Sequence, residues 1–383
     1  MSRVNKILIV AGEASGDSHA AQLVAAIKEE LPAAEFLGVG GEALASQGVR
    51  LLCPASELAV VGLLEVAGRL PAVFKALRDI GRALRTENPQ LVILVDFPDF
   101  NFWVARLARW YRVPVMYYIS PQVWAWRTYR VRTIARLVDR MVVIFPFEAE
   151  FYRDRGVPVE YVGHPLVETL PALPSRDVLL KKWGLDPRRF TLALLPGSRG
   201  SEIERHLPTI LKGAALIKQA IPETQFILPL ASTAPGDLVA ESVAQFKDLD
   251  LKIIPGQSYA ALSAAHLAVV ASGTATVEAA LAGTPSIIVY RLSPFTFAVG
   301  RLLIRVDHVG MANLLAGERL FPELLQHLFT PESLANEVLS LVKDQERLGV
   351  LHRGLARISE RLGGPGASSR AARVALEIMA GSR

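Results

Sequence analysis

Two carboxylates and an amide stand directly behind an apolar run in the stretch VILVDFPDFN, residues 92–101. Asp96 and Asp99 lie where an open parallel sheet presents its carboxyl edge, the side on which such sheets bind ligands. A carboxylate in that place can take a proton from a hydroxyl as a general base. It can equally do no more than end a strand, as Asp96 would, or cap the next helix, as Asp99 would. Upstream, VAGEASGDSHAA (10–21) follows another apolar run and opens a helical pattern. Small residues there let backbone amides approach a ligand at the positive end of a helix. The glycines, Gly12 and Gly16, do not make a G-x-G-x-x-G dinucleotide fingerprint, and Glu13 would crowd a pyrophosphate. The loop therefore suits an uncharged hydroxylated ligand, unless Glu13 and Asp17 serve only as first-turn caps.

A loop of different character occurs in the second half, at LLPGSRGSEIERHLP (194–208). Gly197, Ser198, Arg199 and Gly200 precede a helix, so amides, a hydroxyl and a guanidinium converge where a phosphate could sit. This pattern points to a diphosphate site. In ASGTATVEAALAGTP (271–285), Ser272, Gly273 and Thr274 occupy another strand-to-helix junction, with Glu278 one turn into the helix. A carboxylate so placed can bond a ribose diol. The competing reading of these two loops is a pair of ordinary capped helices.

SPQVWAWRTYRVRTIARLVDR (120–140) brings two tryptophans beside Arg132, Arg136 and Arg140 on one helical face. Such a face is often merely solvated, but aromatic neighbours favour contact with anions or a membrane interface. His19, His164, His206 and His308 show no metal-ligand spacing, and DFPD has no D-x-D, so no metal centre and no cofactor are expected.

The elements that must hold these residues follow from periodicity. KILIV, EFLGVG, LVILV, VPVMYY, RMVVIF and VEYVG alternate with helical patterns in the first half, the rhythm of a parallel α/β sheet. Leu23, Ile27 and Leu31 mark the core face of the first helix. After a polar, proline-containing stretch near 171–187 the rhythm restarts with FTLALLP, TQFILPL, LKIIP, HLAVVAS and PSIIVY. The pattern predicts an α/β protein of two Rossmann-like, doubly wound domains facing a cleft, with a helical C-terminal tail. The expected domains are 1–170 and 188–345. The helices of 346–383 would pack back on the first domain or on a partner subunit.

Length agrees, since 383 residues suit two domains at about 150 residues each. The content, 51% hydrophobic and 21% charged, can fill two cores and leave apolar surface over. The single cysteine, Cys53, excludes an internal disulfide framework and fits a reducing compartment; the apolar run in MSRVNKILIVAG is too short for a signal peptide, so a cytosolic location is expected. A net charge of +5 and a pI near 9.3 favour anionic partners without choosing among nucleic acid, phospholipid and a phosphorylated small molecule. LAVVGLLEVAGRLPAVF (58–74) is shorter than a membrane span and carries Glu65, Arg69 and Pro71, so it could lie on a bilayer but not cross it.

Taken in order, GEASGD, DFPDFN, SPQVWAWR, LLPGSRGSEI, ASGTATVEAAL, YRLSPFTF and NLLAG resemble the lipid-A-disaccharide synthase family over nearly the whole chain. The resemblance implies a B-type-fold glycosyltransferase that moves 2,3-diacylglucosamine from UDP-2,3-diacylglucosamine to 2,3-diacylglucosamine 1-phosphate, with 1–170 taking the acceptor and facing the membrane and 188–345 holding the UDP-sugar. A β-1,6 bond forms and UDP leaves, on the way to lipid A of a Gram-negative outer membrane. It implies importance for activity at Glu13, Asp96, Arg199 and Asn313, and ribose binding at Glu278. As base, Asp96 stands first, Glu13 second and Asp99 third. It also implies a peripheral protein on the cytoplasmic face of the inner membrane, where Leu63, Leu64, Val66, Leu70, Val73 and Phe74 would meet acyl chains and Arg69, Lys75, Arg78 and Arg82 anionic headgroups. A homodimer is open and nucleic acid is not an expected partner. Two other classes compete. A peptidoglycan-type N-acetylglucosaminyl transferase should carry a GGTGGH-like first loop, which the chain lacks. A non-enzymatic basic membrane or nucleic-acid binder would leave the loops at 194–202 and 271–278 unexplained.

Overall fold

The computed structural model describes residues 5–58, 66–231, 234–292 and 308–381, apart from the side chains of Ala14 and of 66–69. The expected residues Leu63 and Leu64, and the side chain of Val66, lie outside that description. The chain folds as two α/β units: one runs to Glu168 and takes up the chain again from Leu362, and the other is Thr169–Arg361.

Among its described residues the first unit carries seven strands, β1 (Lys6–Ala11), β2 (Glu35–Gly40), β3 (Arg50–Pro54), β4 (Leu91–Val95), β5 (Val115–Tyr118), β6 (Arg140–Val143) and β7 (Val159–Tyr161), in the order β3-β2-β1-β4-β5-β6-β7. Every pairing is parallel. A parallel sheet is covered by helices on both faces, so its central strands are apolar without alternation. All five residues of β4, and Ile7 to Ala11 of β1, have no exposed surface.

The second unit repeats the plan with β8 (Thr191–Leu195), β9 (Gln225–Leu230), β10 (Leu251–Pro255), β11 (Leu267–Ala271), β12 (Ser286–Tyr290) and β13 (Glu323–Leu325), ordered β10-β9-β8-β11-β12-β13 and again parallel throughout. Strand order therefore reverses between β1 and β4 in one sheet and between β8 and β11 in the other. At such a reversal neighbouring crossovers leave in opposite directions and a crevice opens at the carboxyl ends.

Helices complete the chain. The Gln345–Arg361 helix belongs to the second unit, whereas the Ala367–Gly381 helix packs on the Ala14–Glu30 helix of the first. That return is pinned by polar contacts. The Glu168 carboxylate accepts from the Gly366 amide at 2.8 Å, the Ser368 amide at 3.1 Å and the Ser368 hydroxyl, capping the returning helix. Arg370 donates to the carbonyls of Val162 at 2.7 Å, Pro365 at 2.9 Å and Gly364 at 2.9 Å.

Val66–Glu87 is a helix with Pro71 in its first turns. Ala76, Ile80, Ala83 and Leu84 bury into the first core and Val73 packs against its edge, so the inner face of this segment is ordinary core. Leu70 is exposed and Phe74 is 67% exposed. Among the described residues no helix is long and apolar enough to cross a membrane.

Candidate active site

Four of the loops singled out by sequence fall at the two reversals. In the first unit, Gly12 and Glu13 follow β1 and Asp96 and Phe97 follow β4, and these strands are neighbours. A Cβ at Gly12 would lie 2.2 Å from the Phe97 ring, so the glycine is needed for that ring to lie across the β1 loop. Asp96 and Phe97 both hold left-handed backbone, with φ of 45° and 49°. Such conformations are costly for non-glycine residues and persist where surrounding structure over-determines them. Here the Asp96 carbonyl accepts the Tyr117 hydroxyl at 2.6 Å and the Asn101 side-chain amide at 2.6 Å, which locks the turn and leaves the Asp96 carboxylate half-buried at the sheet edge.

The neighbouring acids differ in what they do. Glu13 is exposed as the N-cap residue of the Ala14–Glu30 helix and makes no side-chain cap. Asp17 is buried and accepts the amides of Gly41 at 2.7 Å and Ala43 at 2.9 Å, capping the Glu42–Ser46 helix. Asp99, in the first turn of the Pro98–Trp110 helix, pairs with Arg130 at 2.7 Å and Arg127 at 3.4 Å.

Sequence reading passed over Glu148. It lies buried in the first turn of the Pro146–Arg153 helix after β6, accepting the Trp124 indole N–H at 3.0 Å and the Phe145 amide at 3.3 Å. Burial raises its carboxyl to about 8 against those hydrogen bonds, with the Asp96 charge adding to the rise. Its signal was an acid inside the apolar run IFPFEAEF, directly behind a strand.

In the second unit, Gly197, Ser198, Arg199 and Gly200 follow β8, and Ser272, Gly273 and Thr274 follow the adjacent β11. The amides of Ser198 and Arg199 are engaged within the loop itself. Both donate to Glu202 Oε2, at 3.2 and 3.4 Å, in the reciprocal half of a capping box. Gly197 has φ 117°, and a Cβ there would meet that carboxylate at 2.6 Å. Arg199 is 65% exposed on its side chain, with Nη1 3.6 Å from Glu202, at the positive end of the 21-residue Gly200–Ala220 helix.

His206 holds this loop in place. Fully buried, it donates from Nδ1 to the Pro196 carbonyl at 2.8 Å and accepts the Arg291 amide at Nε2 at 3.0 Å, an arrangement that requires the neutral ring in one tautomer. Burial lowers its pKa in keeping with that role. Its one sequence signal was a histidine on the apolar face set by Ile203, Leu207 and Ile210.

Glu278, mostly buried, accepts the Ser258 hydroxyl at 2.7 Å, and burial holds its carboxyl above the usual range. Ser272 donates to the Val309 carbonyl at 2.9 Å. Asn313 is fully buried. Its amide donates to the Phe321 carbonyl and to Glu323, each at 2.9 Å, and its carbonyl accepts the Phe321 amide at 2.7 Å. Glu323 in turn accepts the amides of Gly310 at 2.9 Å and Val309 at 3.2 Å. Asn313 thus fixes the 308–310 loop, to which Ser272 is also bonded.

Two doubly wound units, each with its loops gathered at a strand-order reversal, define the B-type glycosyltransferase architecture. Solved structures share it: MurG of Acinetobacter baumannii aligns with TM-score 0.61 at 13% identity over 97% of this chain and 99% of that one. A putative UDP-N-acetylglucosamine 2-epimerase of Listeria monocytogenes aligns at TM-score 0.66 and 13% identity over 97% and 95%. At such identities the likeness shows the fold alone. The family model described as lipid-A-disaccharide synthetase matches residues 7–378. A lipid-A-disaccharide synthase of Syntrophus aciditrophicus is 45% identical over 97% of this chain and 97% of its own length, and that of Geobacter metallireducens 45% over 99% and 98%. The chain belongs to the lipid-A-disaccharide synthase family, and so is a glycosyltransferase that uses a UDP-sugar donor.

Proposed function

We infer that the chain transfers 2,3-diacylglucosamine from UDP-2,3-diacylglucosamine to the 6-hydroxyl of 2,3-diacylglucosamine 1-phosphate with inversion, giving the β-1,6-linked disaccharide 1-phosphate and UDP. Family membership supports the reaction. The observation that supports the assignment of roles is the locked left-handed turn at Asp96, strain maintained at the one edge of the first sheet where a ligand crevice opens.

In this reading Asp96 takes the proton of the acceptor hydroxyl as that oxygen attacks the anomeric carbon. Glu13, exposed on the adjacent loop, bonds acceptor hydroxyls and stands second as base. Asp99 is less suited to that work, because its carboxylate already serves two guanidiniums. UDP leaves from the second unit. Glu278 and Ser258 bind the ribose, while Ser272, Gly273 and Thr274 line the same reversal. The diphosphate lies against the 197–200 loop, where the Arg199 guanidinium and the helix end receive the charge that develops as the bond breaks. Glu202 sharpens this role by occupying the loop amides, so the cationic side chain carries more of the neutralisation. Asn313 acts through the loop that it braces.

Lipid substrates call for a membrane-facing surface. Phe74 and Leu70 are exposed on the Val66–Glu87 helix, which packs on the Pro98–Trp110 helix. There Trp103 and the 82%-exposed Trp110 stand seven residues apart on one helical face, with Arg106 over the Trp103 ring at 4.9 Å. We read these side chains, with Lys75, Arg78 and Arg82, as the peripheral contact with anionic inner-membrane lipid. The roles are tested by measuring UDP binding and turnover in Asp96→Asn and Arg199→Ala: the first should keep UDP affinity and lose turnover, the second should lose both.

A further inference from the structure

Ion pairs at a protein surface usually join two mobile side chains and contribute little. The cluster at Asp99 is built the other way round. Its anion is exposed and its cations are largely covered: the Asp99 side chain is 75% exposed, whereas those of Arg130 and Arg127 are 19% and 29% exposed. Arg127 lies over the Trp126 ring at 3.8 Å and Arg130 over the Phe102 ring at 5.5 Å, contacts that hold both guanidiniums whatever the carboxylate does. Both reach the same oxygen, Oδ1, so a single carboxylate oxygen occupies the point on which two planar donors converge. The positive end of the 13-residue Pro98–Trp110 helix adds to the local potential, and two guanidiniums against one carboxylate leave the cluster cationic.

We propose that Arg127 and Arg130 form a subsite for a phosphomonoester, the anomeric phosphate of the acceptor sugar, with Asp99 holding the two cations in register until the phosphate displaces it. The proposal rests on the reaction given above. A phosphate dianion offers several oxygens to two fork-shaped donors, where Asp99 offers one. The cluster sits directly after the strand-end turn that carries Asp96, so one end of the acceptor would be anchored on the sheet edge that presents the base to its hydroxyl. Lys would replace either Arg poorly, since a point charge keeps the attraction and loses the fork.

Phospholipid headgroups also carry phosphate, so the test has two arms. In the first, kcat/KM is measured for wild type, Arg127→Gln, Arg130→Gln and the corresponding Lys variants, with the phosphorylated acceptor and with its 1-dephospho counterpart. Each Gln variant should lose about 10- to 100-fold on the phosphorylated acceptor, mainly through its KM, as expected when a charge-assisted hydrogen bond is removed. The KM for the UDP-sugar and kcat/KM for the dephospho acceptor should stay within about twofold, and the Lys variants should fall between. In the second arm, co-sedimentation with phosphatidylglycerol vesicles should be the same for all proteins. An equal loss on both acceptors makes the arginines structural, and loss of vesicle binding with acceptor preference intact makes them a headgroup site; either overturns the proposal. If wild type forms no disaccharide from either acceptor, the reading of the reaction fails and the subsite with it.

Discussion

From residue type and position alone Asp96 was a carboxylate behind a strand, and only the family resemblance put it first among the candidate bases. What singles it out is a left-handed backbone held by Tyr117 of the next strand and Asn101 of the following helix, partners whose approach depends on tertiary structure. Asp96→Asn keeps the shape and the backbone bonds and removes the basic lone pair. Turnover should fall on the order of 100- to 10,000-fold with UDP affinity and melting temperature unchanged; near-normal rates across neutral pH would pass the role to Glu13. Arg199 stood out by residue type and place, a guanidinium in a glycine-containing loop before a helix, and its proposed role is open to a direct test. Removal of its charge in Arg199→Ala should lower turnover about tenfold to a thousandfold and weaken UDP binding measured by calorimetry. The part that could not be read was Glu202, whose bonds to the Ser198 and Arg199 amides depend on the loop closing back on the helix.

At the level of elements, the apolar strands were legible, edges β7 and β10 included, whereas β3 and β13 were not. β3 (RLLCP) begins on an arginine and ends on a proline, and β13 (ELL) is three residues opening on a glutamate, so neither stands out as an apolar run. Buried polar groups that join elements were also out of reach: His206 ties the β8 loop to the end of β12, and Glu148 ties the Trp124 segment to β6. Glu148 yields a pH-dependent prediction. Its carboxyl is raised in the fold to about 8 from an ordinary 4.5, so over that interval the folded chain keeps a proton that the unfolded chain has released. Its contribution to stability is complete below pH 4.5 and is lost as pH rises through about 8. Glu148→Gln, neutral at every pH, should melt with a shallower decline than wild type between pH 5 and 8, and parallel melting profiles would show that the group is ionised in the fold. His206→Gln should raise the KM for the UDP-sugar more than that for the acceptor, since the side chain braces only the donor loop.

Across the molecule, duplication of one architecture explains why so much was readable: each unit repeats strand, loop and helix, and strand order places the chemically distinctive loops at the two reversals. The strand order itself came only from the structure. The return of the Ala367–Gly381 helix to the first unit was one of two placements expected for the tail; what the sequence could not supply is the carboxylate and the guanidinium that hold it, about 200 residues apart in sequence from their partners. Glu168→Ala leaves the amides of that helix end uncapped and should cost about 1–3 kcal/mol, read as a lower midpoint in thermal unfolding with unchanged KM values. The proposed peripheral membrane contact is tested on the surface as a whole. Phe74→Ser together with Trp110→Ser should weaken co-sedimentation with anionic vesicles and spare activity on detergent-dispersed substrates, and wild-type binding should fall as salt shortens the screening length below about 10 Å. The most direct test is the reaction itself. Purified protein is incubated with UDP-2,3-diacylglucosamine and 2,3-diacylglucosamine 1-phosphate, and the products are examined by mass spectrometry and by the anomeric coupling in proton NMR. The expected result is UDP and a β-1,6-linked disaccharide 1-phosphate in equal amounts. A donor that is only epimerised or hydrolysed, with no disaccharide formed, would contradict the account.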